Sequence, residues 1–271
     1  MIAAAKRGAF TGALQIARYN WPFYAVSAVV VISGAAVACL PSAPSPLRWT
    51  TATGAALAAW LACASFLAAH WVFDRSELTR WRWLRQEFTS APARWVHINA
   101  GLEETQAPLA AIFPGADGKA LDIYDPASMT EPAIARARKQ QAVVSGIPTC
   151  ADALPIDSGW AEAVFLLMTA HEIRSPSQRE AFFRELARIL AVKGKVVVVE
   201  HLRDWANALA FGPGVFHFLA RREWLRLATV AGLEVERERP FTPFVRVFVY
   251  RHAPGIQQAG KPGDAADRPR G

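Results

Sequence analysis

The sequence predicts an α/β protein, a doubly wound, mostly parallel seven-stranded sheet preceded by two transmembrane helices. Three observations carry this expectation. First, two apolar stretches stand early in the chain, Trp21–Leu40 (WPFYAVSAVVVISGAAVACL) and Thr51–Phe73 (TATGAALAAWLACASFLAAHWVF). Neither contains Lys, Arg, Asp or Glu, and each is long enough to cross bilayer hydrocarbon as a helix. Second, from Arg94 onward short apolar runs alternate with polar helical stretches, and the central runs lack polar alternation, as strands covered on both faces do. Third, the last two runs, LEVERER and VRVFVYR, alternate residue by residue, the pattern of half-exposed strands at an antiparallel edge.

Charge divides the N-terminal part. Lys6, Arg7 and Arg18 precede the first span; Arg75, Arg80, Arg82 and Arg85 follow the second; the connecting loop carries only Arg48. This asymmetry places both ends of the hairpin in the cytoplasm. The expected organisation is a cytoplasmic segment over 1–20, a hairpin over 21–73, a juxtamembrane segment over 74–92, an α/β domain over 93–252 and a disordered tail over 253–271. The juxtamembrane stretch RSELTRWRWLRQEF mixes Trp and Arg, as expected if rings lie in the lipid interface and guanidinium groups face lipid phosphate. The setting that follows is a multi-pass protein of a bacterial inner membrane, its catalytic domain cytoplasmic.

Within the domain, ARWVHIN reads as strand one, Glu103–Phe113 as a helix stopped by Pro114-Gly115, and KALDIY as strand two. Ser128–Gln140 reads as a helix, AVVSGI as strand three, AEAVFLLM as strand four, Ser177–Leu190 as a helix with an apolar stripe, and KVVVVEH as strand five after a turn at Lys193-Gly194. Arg221–Ala231 is a helix ended by Gly232. In such sheets ligands bind beyond the C-terminal ends of the strands. That points to Asn99–Gly101, Asp122–Asp125, Asp152, Thr169–Glu172 and His201.

The formal charge of +7 is concentrated near the hairpin and suits anionic lipid. Nucleic acid is disfavoured as a partner, because no basic, aromatic-interleaved groove segment stands outside the juxtamembrane stretch. Three Cys make no disulfide framework, and the six His show no clustered Cys or His partners in the sequence, so no metal is expected.

The stretch CADALPIDSGWAEAVFLLMTAHEI, followed by REAFFRELARILAVKGKVVVVEH and later FLARREWLRLATVAGLEV, resembles the class I S-adenosylmethionine-dependent methyltransferases. The resemblance covers about Arg94 to Arg251 and implies a Rossmann-like methyltransferase domain using S-adenosyl-L-methionine. It is weakest in WVHINAGLEET, where the family has an acidic residue and a glycine-rich turn. His97 stands near the usual acid, Asn99 replaces the first glycine, Gly101 matches the middle one and Glu103 replaces the last. Gly101 supports close approach of the cofactor. Glu103 and Glu104 would pair with its cationic methionyl end, or else favour only their own helix N-terminus. Asp122 or Asp125 matches the acid that accepts the ribose hydroxyls, Asp122 being the favoured choice; either could instead cap the following helix. Asp152 resembles the residue at the adenine amino group, and Leu154 would touch the ring. Thr169 follows strand four on the cofactor side, and His171 is the candidate catalytic base.

The function expected from these features is methyl transfer to a lipid-like or otherwise apolar small molecule at the membrane surface. The rival is a non-catalytic, membrane-anchored binding or scaffold protein that keeps the fold, suggested by the altered turn. A dinucleotide enzyme fits less well, in both its glycine pattern and the order of elements after strand five. The sequence leaves the oligomeric state and the accepting atom open.

Overall fold

The computed structural model describes residues 8–100, 105–140 and 146–255. The expected tail beyond 255, the turn at Gly101–Glu104 and most of the third strand lie outside the described residues.

Seven strands form one sheet: β1 (Arg94–Asn99), β2 (Asp117–Asp122), β3 (Ile147–Pro148), β4 (Ala161–Leu167), β5 (Leu190–His201), β6 (Leu233–Thr242) and β7 (Val245–His252). Their order is β3-β2-β1-β4-β5-β7-β6. β1 through β5 pair in parallel, while β7 runs antiparallel between β5 and β6. The order reverses between β1 and β4, which is the switch point where a cleft opens beyond the strand ends. The expected architecture is therefore the observed one.

Alternation along the central strands sends side chains to two cores. Val96, Ile98, Val164, Leu166, Val196 and Val198 face Phe182, Phe183 and Leu186 of α6 (Pro176–Ile189) and Trp224 of α8 (Arg221–Val230). Trp95, Ala163, Phe165, Val197 and Val199 face Leu109 and Phe113 at α4 (Gln106–Ile112), together with Leu78, Trp83 and Leu84. That second layer corrects one expectation. Trp81 and Trp83 are buried against the sheet rather than free for lipid, whereas Arg80, Arg82 and Arg85 are exposed. The indole rings cover a face that no helix after β5 reaches, and burying large aromatic surface there is favourable. Glu87 fastens this layer, with Arg237 and Arg239 at 3.2 and 2.8 Å.

Other boundaries shift for local reasons. α5 (Pro132–Gln140) begins at Pro132, not Ser128, because Asp125 closes a turn of its own. Its carboxylate accepts from Ala127 N–H at 2.9 Å and Ser128 Oγ at 2.7 Å. β5 continues through Lys193-Gly194, with a register irregularity against β4 at Ala161/Ala163. An additional helix, α7 (Trp205–Phe211), and a following 3-10 turn over Gly212–His217 were not anticipated.

Ahead of the domain, α1 (Thr11–Tyr19) leads into α2 (Trp21–Ala38) and α3 (Ser45–His70), two helices long and apolar enough to cross a membrane. α2 and α3 approach closely at Gly34, where a Cβ would lie 2.8 Å from the Thr51 carbonyl oxygen. Tyr24 and Ser65 meet at 3.3 Å near one end, and Arg48 donates to the Ala38 carbonyl at 2.8 Å near the other. The Asp74 carboxylate accepts from Gly12 and Ala13 N–H at 2.6 and 3.0 Å, capping α1 from beyond α3.

One position in β2 has no room for a side chain. A Cβ on Gly118 would fall 2.0 Å from the buried Trp95 ring, its partner in register. Gly118→Val is expected to destabilise the domain by about 1–3 kcal/mol, read as a lower urea midpoint at unchanged slope. An unchanged midpoint would mean that the Trp95 ring has another resting place.

Candidate functional site

In sheets of this kind the ligand cleft lies beyond the C-terminal strand ends, and here β1, β2, β4 and β5 end on that edge. Asn99 closes β1, buried, its Nδ2 donating to the Leu121 carbonyl at 3.0 Å. Asp122 ends β2 directly across from it in register. It is buried and its two oxygens are separately bonded: Oδ1 accepts from Tyr124 N–H at 3.0 Å, and Oδ2 from Arg138 Nη1 at 2.8 Å. Arg138 in turn lies over the Tyr124 ring at 4.3 Å. Gly146, at φ +127°, passes so close that a Cβ would stand 3.3 Å from Asp122 N and 3.4 Å from Asn99 Nδ2. Asn99, Asp122 and Gly146 therefore form one corner of the cleft. Each Asp122 oxygen keeps a second lone pair, so the carboxylate can still accept from a ligand hydroxyl.

The other acids are placed differently. Asp125 is exposed and spends its oxygens on its own turn; the Ser128 hydroxyl and Ala127 N–H hold its pKa below the usual range. Asp152 is exposed in the turn bracketed by the Cys150–Ala153 bridge. Leu154 is not at the surface of the cleft. Its side chain is part of the core, its N–H donates to Glu185 at 2.9 Å and its carbonyl accepts from Arg188 at 2.9 Å. A contact from that side chain to an adenine ring does not fit this position. His97 lies inside β1, 1% exposed, opposite Ala120 and Phe165.

The opposite wall is built around a residue that the sequence reading missed. Glu200, near the end of β5, is fully buried. Met168, at φ +58°, turns the chain sharply after β4. The next N–H groups then converge on Glu200 Oε1, Thr169 at 3.1 Å, Ala170 at 2.9 Å and His171 at 3.4 Å. Glu200 Oε2 accepts from His171 Nδ1 at 2.6 Å. A carboxylate at the end of an apolar run, VVVVEH, was the available signal, because a buried charge must be compensated.

His171 is thus held on both sides, since its Nε2 lies 3.0 Å from Glu172 Oε1. Burial alone would lower its pKa, but the Glu200 and Glu172 carboxylates outweigh burial and push it up to about 10. An imidazolium with both N–H groups bonded has no lone pair, so the expected role of proton acceptor does not fit this geometry. Burial alone would raise the Glu172 carboxyl, yet His171 and His217 hold it well below the usual range. His217 Nε2 donates to Glu172 at 3.2 Å, while Arg174, which has only donors, bonds His217 Nδ1. His171, Glu172 and His217 do form a cluster that the linear sequence did not show, with ligand-type atoms within 4.8 Å of one another. Their bonds run to each other, to Glu200 and to Arg174, while Glu172 Oε2 is buried without a hydrogen bond, the Arg174 guanidinium standing 3.6 Å away. His201, one residue beyond Glu200, is pushed down to about 4 by burial; its Nδ1–H donates to the Phe244 carbonyl at 2.8 Å and its ring stacks on Phe218.

No protein-family model and no curated protein matches the chain. Among solved structures, the mitomycin 7-O-methyltransferase MmcR aligns over 93% of this chain and 74% of its own, at 17% identity and a TM-score of 0.52. The fold is class I methyltransferase-like. A SAM-dependent methyltransferase from Aquifex aeolicus aligns over 63% of this chain and 88% of its own, at 14% identity and a TM-score of 0.49. At these identities the likeness is one of fold.

Proposed function

We propose that the chain is an S-adenosylmethionine-dependent methyltransferase acting on an apolar or lipid-like small molecule at a membrane surface. The observation that carries this reading is the corner of Asn99, Asp122 and Gly146 beside the switch point: a buried carboxylate with lone pairs to spare, next to close-packed backbone. Two hydroxyls on adjacent carbons suit that carboxylate. Asp152 in the next loop would take a ring amino group, with Gly101, Glu103 and Glu104 assigned to the methionyl end. When bound, S-adenosylmethionine supplies a methyl group on a positively charged sulfur. The chain's own contribution is positioning. The Glu200–His171–Glu172 lattice ties down the loop after β4, Thr169 included, and would serve as the wall of the site on that side. Water exclusion by Phe218 and the rings around His201 completes it.

The hairpin supports the setting: two long apolar helices, with basic residues concentrated before the first and after the second, fit a domain on the cytoplasmic side of a bacterial inner membrane. Reporter fusions after Pro46 and after Arg251 are expected to give periplasmic and cytoplasmic signals respectively; matching signals would overturn this orientation.

The scaffold reading has one observation of its own, the Arg138 bond that occupies Asp122. Calorimetry of the detergent-solubilised full chain with S-adenosylmethionine separates the two. Saturable binding with one equivalent supports the enzyme. Absence of binding, with the circular dichroism of a folded α/β protein, supports the scaffold.

A further inference from the structure

We infer that the segment Trp205–Phe216 inserts into the leaflet facing the domain and forms a second, shallow membrane contact beside the hairpin. The inference rests on the proposal that α2 and α3 span a bilayer. The segment, WANALAFGPGVF, carries no charged residue over its whole length. Its Trp205, Leu209 and Phe216 are 84%, 60% and 71% exposed. Large apolar side chains so exposed, all on one excursion from the domain, need a non-aqueous neighbour.

The position of the segment says which neighbour. Trp60 Nε1 of α3 donates to the Leu209 carbonyl at 3.2 Å, and Gly212, at φ +53°, lies so close to Leu61 that a Cβ would come within 2.9 Å. α7 is therefore fastened to the interior of the span, between the level where Tyr24 meets Ser65 and the level where Gly34 meets Ala55. From Trp60 to the start of α3 at Ser45 is roughly 23 Å along the axis, too short for the ~30 Å of hydrocarbon. A bilayer that begins above α7 leaves the span roughly 7 Å short of the hydrocarbon, a mismatch met only by thinning the bilayer. One that uses the whole of α2, roughly 27 Å from Trp21, takes Leu209 and Phe216 in with it. The immersion this requires, on the order of 10 Å, is the depth at which interfacial helices lie.

The backbone is prepared for that depth. Asp204 caps α7 through Asn207 N–H at 3.0 Å, and Arg203 donates to the Phe216 and Phe218 carbonyls at 3.1 and 2.9 Å. This leaves a guanidinium at the rim, where lipid phosphate would sit. The occupant is lipid acyl chain, not a second copy. Phe216 directly precedes His217, so the inserted segment ends at the wall of the cleft. An acceptor dissolved in the leaflet would meet the site without passing through water.

The test uses the full chain in vesicles of phosphatidylcholine and phosphatidylglycerol, with Cys39, Cys63 and Cys150 replaced by Ala. Single cysteines at Leu209→Cys, Phe216→Cys, Leu57→Cys in the span and Val192→Cys on the far side of the domain carry an environment-sensitive fluorophore. Expected is loss of most fluorescence to a shallow lipid-borne quencher at 209 and 216 and to one placed deep in the acyl chains at 57, with none to either at 192. Quenching at 57 while 209 and 216 behave like 192 overturns the inference and leaves the spanning hairpin intact. No quenching at 57 removes the spanning hairpin and the inference with it. Shielding of 209 and 216 from both lipid and aqueous quenchers identifies a protein neighbour instead and also overturns it. The unlabelled wild type gives an independent reading. Hydroxyl radicals in water should leave Trp205 unoxidised in vesicles, and oxidation as fast as in detergent-free unfolded chain would be a second refutation.

Discussion

Glu200→Ala is expected to cost the domain ~3–5 kcal/mol, because it leaves the His171 cation buried without its closest counter-charge. Three backbone N–H groups lose their acceptor at the same time. Glu200→Gln separates the two contributions, since an amide oxygen can still accept from those N–H groups but carries no charge. The pH dependence identifies the charge. An unfolded imidazole titrates at about 6.5, and the folded value at His171 is raised to about 10. A raised value means stability that is fully present below the unfolded pKa and is lost as pH rises through the folded one. Urea unfolding of the wild type should therefore weaken steadily from about pH 7 to about pH 10. In Glu200→Gln the same decline should end at a lower pH. An unchanged alkaline decline would assign it to another group.

Asp122→Ala is expected to weaken S-adenosylmethionine binding by about 1–3 kcal/mol, roughly fivefold to 150-fold, through loss of a charged acceptor at the proposed ribose position. Arg138→Gln is the informative companion. It removes the guanidinium that now lies 2.8 Å from Asp122 and leaves the carboxylate in place. In an enzyme whose ribose site is Asp122, the Arg138 variant should bind the donor at least as well as the wild type. If both variants bind as the wild type does, the corner of Asn99 and Asp122 is structural, and the donor, if bound, is held elsewhere. Calorimetry on folded, detergent-solubilised protein reads both.

The sheet was legible because burial on both faces leaves a plain mark. The runs WVHI, AVFLL and VVVV have no polar alternation, and all three are central strands. The edge pair was legible for the opposite reason, LEVERER and VRVFVYR alternating as half-exposed strands do. Trp81 and Trp83 were misread because a Trp–Arg mixture looks the same whether its rings meet lipid or the face of a sheet; only the tertiary neighbours Phe241 and Arg239 distinguish the two. α7 was illegible because seven residues, closed by Gly-Pro-Gly, give too little periodicity to register. In the candidate site, acids at strand ends are singled out by position, and Asp122 does stand buried at the end of β2. The Glu200–His171 pair was not, because its members lie 29 residues apart and meet only when β4 and β5 pair. Leu154 shows the limit of reasoning from motif order, since a leucine before a proline can face the core as readily as a ligand.

The bond from Asp74 to the start of α1 has a mechanical meaning. The chain before the first span is tied to the chain after the second by Gly12 and Ala13, and α1 is tied to the domain by Arg136, which donates to the Tyr19 carbonyl. A hairpin joined at one end only would be a swivel. This one is clamped at both ends, so the domain cannot turn about the hairpin axis or tip away from it without breaking α1 loose. Inserted in a bilayer, such a mount would give the mouth of the cleft a fixed bearing, and the search for an acceptor would become a problem of lateral diffusion in two dimensions.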